Sequence, residues 1–348
     1  MHGLSHVDRS RPVAIWLFLV AALVFLMVVV GGATRLTDSG LSITEWKPVT
    51  GAVPPLTEAD WQAEFAKYRK IPEYQQVNRG MSLDEFKVIY WWEWGHRQLG
   101  RLIGVAFAVP FFAFLATKRV PERLVGRCWL LLGLGSLQAY IGWWMVSSGL
   151  SQRVDVAPER LTTHLGLALV IFCLLVWTGL SAWKGPDRTR SPNRWPVAAW
   201  GLLALVFVQV LLGGLVAGND AGYVYNDWPL MNGQVLPPVN WDRGVIHAFL
   251  HDHALVQFNH RIGAYVLLIA ATAFALASAR APVSDGHKAT AGLLAALVWA
   301  QAALGVITLV QVVPLSLGVL HQAGAVVVLA AAVVTAWTVK RQEARFFV

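Results

Sequence analysis

The sequence predicts an all-α integral membrane protein: eight transmembrane helices forming two parallel four-helix-bundle repeats, related by a pseudo-two-fold axis along the membrane normal. Three observations predict it. Of 348 residues, 56% are hydrophobic and 14% charged, with a mean hydropathy of +0.52, where a soluble chain carries about 25% charged residues. The apolar residues gather in blocks of about 20, the length that crosses a bilayer's hydrocarbon as helix. A long series of residues also recurs in order in the second half. The abundance of apolar and aromatic residues excludes a disordered chain.

The apolar runs place spans at 12–32, 94–117, 125–147, 161–183, 195–217, 256–279, 288–310 and 315–339. The first follows Arg9 and Arg11, as a signal peptide would. It lacks a small-x-small cleavage site and has an internal copy, so it reads as a retained span. Lysine and arginine orient the rest. With the N-terminus inside, the inner segments hold Arg9, Arg11, Lys118, Arg119, Arg123, Arg127, Lys184, Arg188, Arg190, Arg194, Arg280, Lys288, Lys340, Arg341 and Arg345, 15 basic residues against 5 acidic ones. Basic residues concentrate on the cytoplasmic side, so both termini are placed there. The net charge of +8 is then a topology signal, with no nucleic-acid partner needed and membrane lipid as the surroundings.

The outer loop 34–90 is long, and it reads as ordered. Thr57 and Asp60 form a capping-box pattern ahead of Trp61, Phe65 and Tyr68, which share a helical face, and Ser82 and Glu85 repeat the pattern ahead of Phe86, Ile89 and Tyr90. Trp46, Trp61, Trp91, Trp92, Trp94, Trp143, Trp144, Trp228 and Trp241 fall in or beside outer segments, where tryptophan anchors helices at the interface. Cys128 and Cys173 sit in separate spans and read as small buried apolar residues.

The repeat is explicit. Gly31, Gly32, Asp38, Gly40, Glu45, Trp46, Gly51 and Pro55 match Gly213, Gly214, Asp220, Gly222, Asp227, Trp228, Gly233 and Pro237, all 182 positions later. His96-Arg97 matches His260-Arg261, Gln138 and Gly142 match Gln301 and Gly305, and His164 matches His321. The expected division is 1–190, with the long outer loop, and 191–348.

Ten histidines are present. His2, His6 and His287 lie in polar inner segments and are expected to be solvated. His96, His164, His260 and His321 each open an apolar span, and two crossings separate the members of each pair, so both members sit at the same outer depth. Ionisable side chains within spans are costly and mark function. Two imidazoles facing across a helix bundle suit axial ligation of haem iron, whereas a bare zinc ion wants a third or fourth ligand. Arg97 and Arg261, beside the first histidine of each pair, are candidate partners of haem propionates or ordinary interfacial anchors. The halves differ beside the first histidine: Glu93 lies one turn before His96, and its counterpart before His260 is Gln257. A carboxyl that moves protons or stabilises a cation belongs where chemistry happens. His247 and His251 could share a helix face and bind a metal, and with His253 they otherwise read as solvated.

Glu93-x-x-His96-Arg97, His164, Asn259-His260-Arg261, His321 and the Gly31-Gly32-Ala33-Thr34-Arg35-Leu36 turn resemble haem A synthase over essentially the whole chain. The resemblance implies an oxidoreductase that oxidises a ring methyl of haem O to a formyl group, giving haem A for cytochrome oxidase. It implies haem O as substrate on His96 and His164, a cofactor haem b on His260 and His321, and Glu93 as the catalytic glutamate. It further implies haem O synthase as substrate donor, an electron donor or acceptor, and the cytochrome oxidase assembly machinery as partners; a homo-oligomer stays open. Some members carry cysteine pairs in their outer loops. This chain has none there, and resembles the cysteine-free proteobacterial and mitochondrial-like branch. Two other readings use the same histidines: a di-haem cytochrome b-type, quinol-linked electron carrier, which has no use for Glu93, and a haem transporter or chaperone, which leaves haem unmodified.

Overall fold

A computed structural model describes residues 6–185 and 194–342. Among them are eleven α-helices, eight of them long and apolar enough to cross a membrane. In chain order they are α1 (His6–Leu36), α2 (Glu58–Tyr68), α3 (Pro72–Gln76), α4 (Leu83–Ala116), α5 (Glu122–Ser147), α6 (Pro158–Lys184), α7 (Arg194–Gly218), α8 (Val245–His251), α9 (His253–Arg280), α10 (Asp285–Val310) and α11 (Leu315–Gln342). The eight expected spans coincide with α1, α4–α7 and α9–α11. His2, Arg188, Arg190 and Arg345 lie outside the described residues, as do the side chains of His6 and Arg9.

The second helix of the eight extends furthest beyond its span. The second span was expected from residue 94, but α4 begins at Leu83 behind a complete Ser82–Glu85 capping box. No glycine or proline interrupts the chain between that cap and the apolar run, so one helix of 34 residues results. At 1.5 Å per residue it is about 51 Å long, well beyond a hydrocarbon core of about 30 Å, so one end of it must stand clear of the bilayer. Its first turns carry the ordered outer lobe. Thr57 and Asp60 cap α2 reciprocally, and Trp61, Phe65 and Tyr68 pack with Phe86, Tyr90, Leu41 and Ile43 into a separate apolar core.

The helices close into two sets. α1 packs on α4 and α6, and α5 on α6; α7 packs on α9 and α11, and α10 on both. The sets meet through α1 with α11 and through α6 with α7 and α11. α4 and α5 touch only sparsely, with Phe111 and Phe112 against Trp129 far from the outer lobe, whereas α9 and α10 pack extensively. Close approach of α1 to α6 depends on Gly179, where a methyl group would come 2.7 Å from the Phe18 ring. Arg35 at the end of α1 joins the sets by pairing with Asp220 at 2.6 Å, with Asp38 at 2.9 Å on its own side.

His287 corrects an expectation. It is 2% exposed, not solvated. Its backbone N–H is capped by Ser284, its Nε2 lies 3.1 Å from the Ser278 hydroxyl, and its ring packs against Trp195 and Phe274. Its charged neighbours Asp285 and Lys288 hid the fact that it faces α7 and α9. Cys128 is buried in the apolar core and Cys173 is partly buried against it, both as free thiols.

Candidate functional site

Each of the four span histidines lies within a long helix and is only partly covered. Each faces a glycine on another helix. A methyl group at Gly31 would sit 3.1 Å from His96 Nε2; at Gly142, 2.9 Å from His164 Cε1; at Gly213, 3.1 Å from His260 Cε1; and at Gly305, 2.8 Å from His321 Cε1. These glycines are there because the rings occupy the space a side chain would need.

Three of the rings are also held by a glutamine four residues before the glycine. Gln138 Nε2 donates to the His164 carbonyl at 3.0 Å and lies 3.2 Å from its Nδ1. Gln209 does the same to His260 at 2.9 and 3.0 Å, and Gln301 to His321 at 2.7 and 3.0 Å. Partners of this kind set which ring nitrogen is free to bind a metal. Gln138 and Gln301 stood out in the sequence only as a matched pair. Gln209 did not, because the residue 182 positions earlier is Met27.

The rings of His260 and His321 have centres 6.5 Å apart and planes at 88°. An imidazole nitrogen lies about 1.1 Å from its ring centre and a metal–imidazole bond is about 2.0 Å, so two rings on opposite sides of one ion are centred about 6.2 Å apart. No cluster of three or more His, Cys, Asp or Glu side chains suited to a metal exists among the described residues. The pair therefore fits an ion that brings its other ligands with it, as porphyrin iron does. An imidazole bound through Nε2 carries its proton on Nδ1. The buried Oε1 atoms of Gln138 and Gln209 have no hydrogen-bond partner among the described residues; turning either amide would offer Oε1 to that proton at the cost of the bond to the histidine carbonyl. His164 lies close enough to His96 for the two rings to interact electrostatically.

Glu93 is 3% exposed and accepts hydrogen bonds from four donor groups. Ser42 Oγ and the Ile43 N–H reach Oε2, each at 2.7 Å, while Arg97 reaches Oε1 through Nε at 3.0 Å and Nη2 at 2.6 Å. Arg97 also holds the carbonyls of Ile43 and Glu45. The second set repeats the clamp: Arg261 holds the carbonyls of Tyr225 and Asp227 and the Gln257 Oε1, and Gln257 Nε2 donates to Ala221 and Tyr225. Tyr225 and Asp227 stand 182 positions after Ile43 and Glu45. Both arginines are thus engaged first with loop carbonyls, a role that residue spacing did not reveal.

His247 and His251 share α8 with ring centres 4.5 Å apart, and His251 Nε2 lies 3.8 Å from Glu159. His253 begins α9 and is exposed.

Residues 14–333 match the model of the family described as cytochrome oxidase assembly protein. The chain belongs to that family. It is similar to proteins named Heme A synthase from Caulobacter vibrioides (58% identical over 96% of this chain and 98% of the relative), Caulobacter sp. strain K31 (57%, over the same shares) and Parvibaculum lavamentivorans (53%, over 98% and 97%). In this cytochrome oxidase assembly protein, the outer lobe and both arginine clamps lie inside the matched region.

Proposed function

We propose that the protein is a haem A synthase, an oxidoreductase that converts haem O to haem A for cytochrome oxidase assembly. Support comes from relatives of that name matched across nearly the whole chain. The observation that carries an enzyme rather than a pure electron carrier or haem chaperone is the difference between two otherwise matching clamps. Glu93 places a buried carboxylate one turn from His96, where the second set places the uncharged Gln257.

In this reading the chain is two four-helix halves, divided near residue 190 and related by a pseudo-two-fold axis. His96 and His164 bind and orient the substrate haem O. His260 and His321 hold a haem b, which supplies one-electron transfer when bound. Oxidation of a ring methyl to a formyl group removes electrons and protons and adds one oxygen atom. Glu93, held by Ser42, the Ile43 N–H and Arg97 under the outer lobe, would move protons or stabilise a cation at the substrate haem. Arg97 and Arg261 fix the loops over the two sites. Arg97 keeps one Nη1 N–H for a haem propionate, whereas both Nη groups of Arg261 are already taken.

The basic inner segments support an inner-membrane protein with both termini in the cytoplasm and the haem sites toward the periplasm. Haem O synthase is the proposed substrate donor, with an external electron partner and self-association completing the set. The test is expression in a host that makes haem O but not haem A, followed by pigment extraction and chromatography. Haem A is expected. Extracts holding only haem O and haem B would refute the proposal.

A further inference from the structure

Two imidazoles on one iron leave no open position, so one of them must yield if a small molecule is to reach the metal. Three observations single out the same ring. His164, His260 and His321 each have a glutamine at Nδ1, whereas His96 has no side-chain hydrogen bond among the described residues. The residue corresponding to Gln209 is Met27, which has neither a donor nor a strong acceptor. Met27 occupies the right place: its methyl lies 3.4 Å from where a Cβ on Gly100 would stand, one turn beyond His96, much as the Gln209 amide lies over Gly263, just beyond His260.

We propose that His96 is the exchangeable ligand of the substrate site, and that Met27 is the positioning residue that leaves its ring free to turn. This rests on the assignment of His96 and His164 to the substrate haem. Nothing at Nδ1 resists rotation of the His96 ring away from iron. The three glutamine-held rings must break a hydrogen bond to do the same. The asymmetry separates a site that opens from a site that stays closed.

The test uses purified full-length protein carrying both haems, reduced, with carbon monoxide as the probe of an open iron position. Wild type is expected to bind carbon monoxide at one haem only. Met27→Gln should slow that binding about tenfold or more, the usual scale for a partner of a metal-bound histidine. Gln209→Met should open the second haem to the gas. The unperturbed haem in each variant reports that the protein is folded. Unchanged binding in Met27→Gln, or equal access to both haems in wild type, overturns the proposal while leaving the site assignment standing. If His96→Ala and His164→Ala both retain full haem content, the site assignment fails and the proposal with it.

Discussion

Replacing Glu93 with glutamine separates its chemistry from its structural work. The substitution keeps the shape, and Gln257 already shows that an amide can sit beside the corresponding arginine, accepting from Arg261 at 3.0 Å. In the first set the other half of the group meets two donors, Ser42 Oγ and the Ile43 N–H, both at 2.7 Å. The serine hydroxyl can rotate to accept from an amide, but the Ile43 N–H cannot. One buried donor is therefore left facing another, at a cost of about 1–3 kcal/mol. Arg97 keeps its two carbonyl partners. Glu93→Gln should thus accumulate as folded protein, with a modestly lower midpoint in a thermal or denaturant titration. Its haem A yield in the haem O-producing host should fall about a hundredfold or more, the scale for removing one preorganised charge-stabilising group. Normal haem A yield from folded protein would remove Glu93 from the mechanism. Loss of folded protein in step with activity would reduce it to a loop fastener.

Three other outcomes follow from the geometry. Gly305→Ala puts a methyl group 2.8 Å from His321 Cε1; the ring must shift, and the absorption bands of the second haem should weaken while those of the first persist. Burial, and secondarily Asp155, pushes the Glu73 carboxyl up to about 8, so the folded protein keeps a proton that the unfolded chain releases. Stability should fall as pH rises from the ordinary carboxylate range to about 8 and level off above it; Glu73→Gln should flatten that slope, and parallel pH profiles for variant and wild type would refute the assignment. Arg261→Lys cannot span the carbonyls of Tyr225, Asp227 and Leu230 with a single ammonium, so limited proteolysis should cut the 225–230 segment sooner than in wild type.

Much of this architecture was legible because lipid demands long apolar helices and the chain carries nearly matching copies of its own landmarks. The spans, the two capping boxes and the four histidines needed only spacing and hydropathy. The Ser82–Glu85 capping box marked the start of α4, but that this helix runs unbroken into the span was not legible, because apolarity marks where a helix enters lipid and not where it begins. His287 was misread because local charge describes chain neighbours, whereas its surroundings come from α7 and α9. The glutamine locks on the rings lay beyond reach for a related reason. A glutamine in a span is an oddity until the partner helix shows what it touches, and Gln209 lost even that signal when its mate became Met27.

On the proposed reading, reactant and permanent helper are near-identical flat molecules, of which one is traded away each cycle and the other kept. The loose seam between α4 and α5 would give the first bundle a side door onto the lipid, through which a greasy ring could slip edgewise without meeting water. The tight seam between α9 and α10 has no such door. On that reading one bundle is a berth and the other a vault, by how firmly two helices lean together.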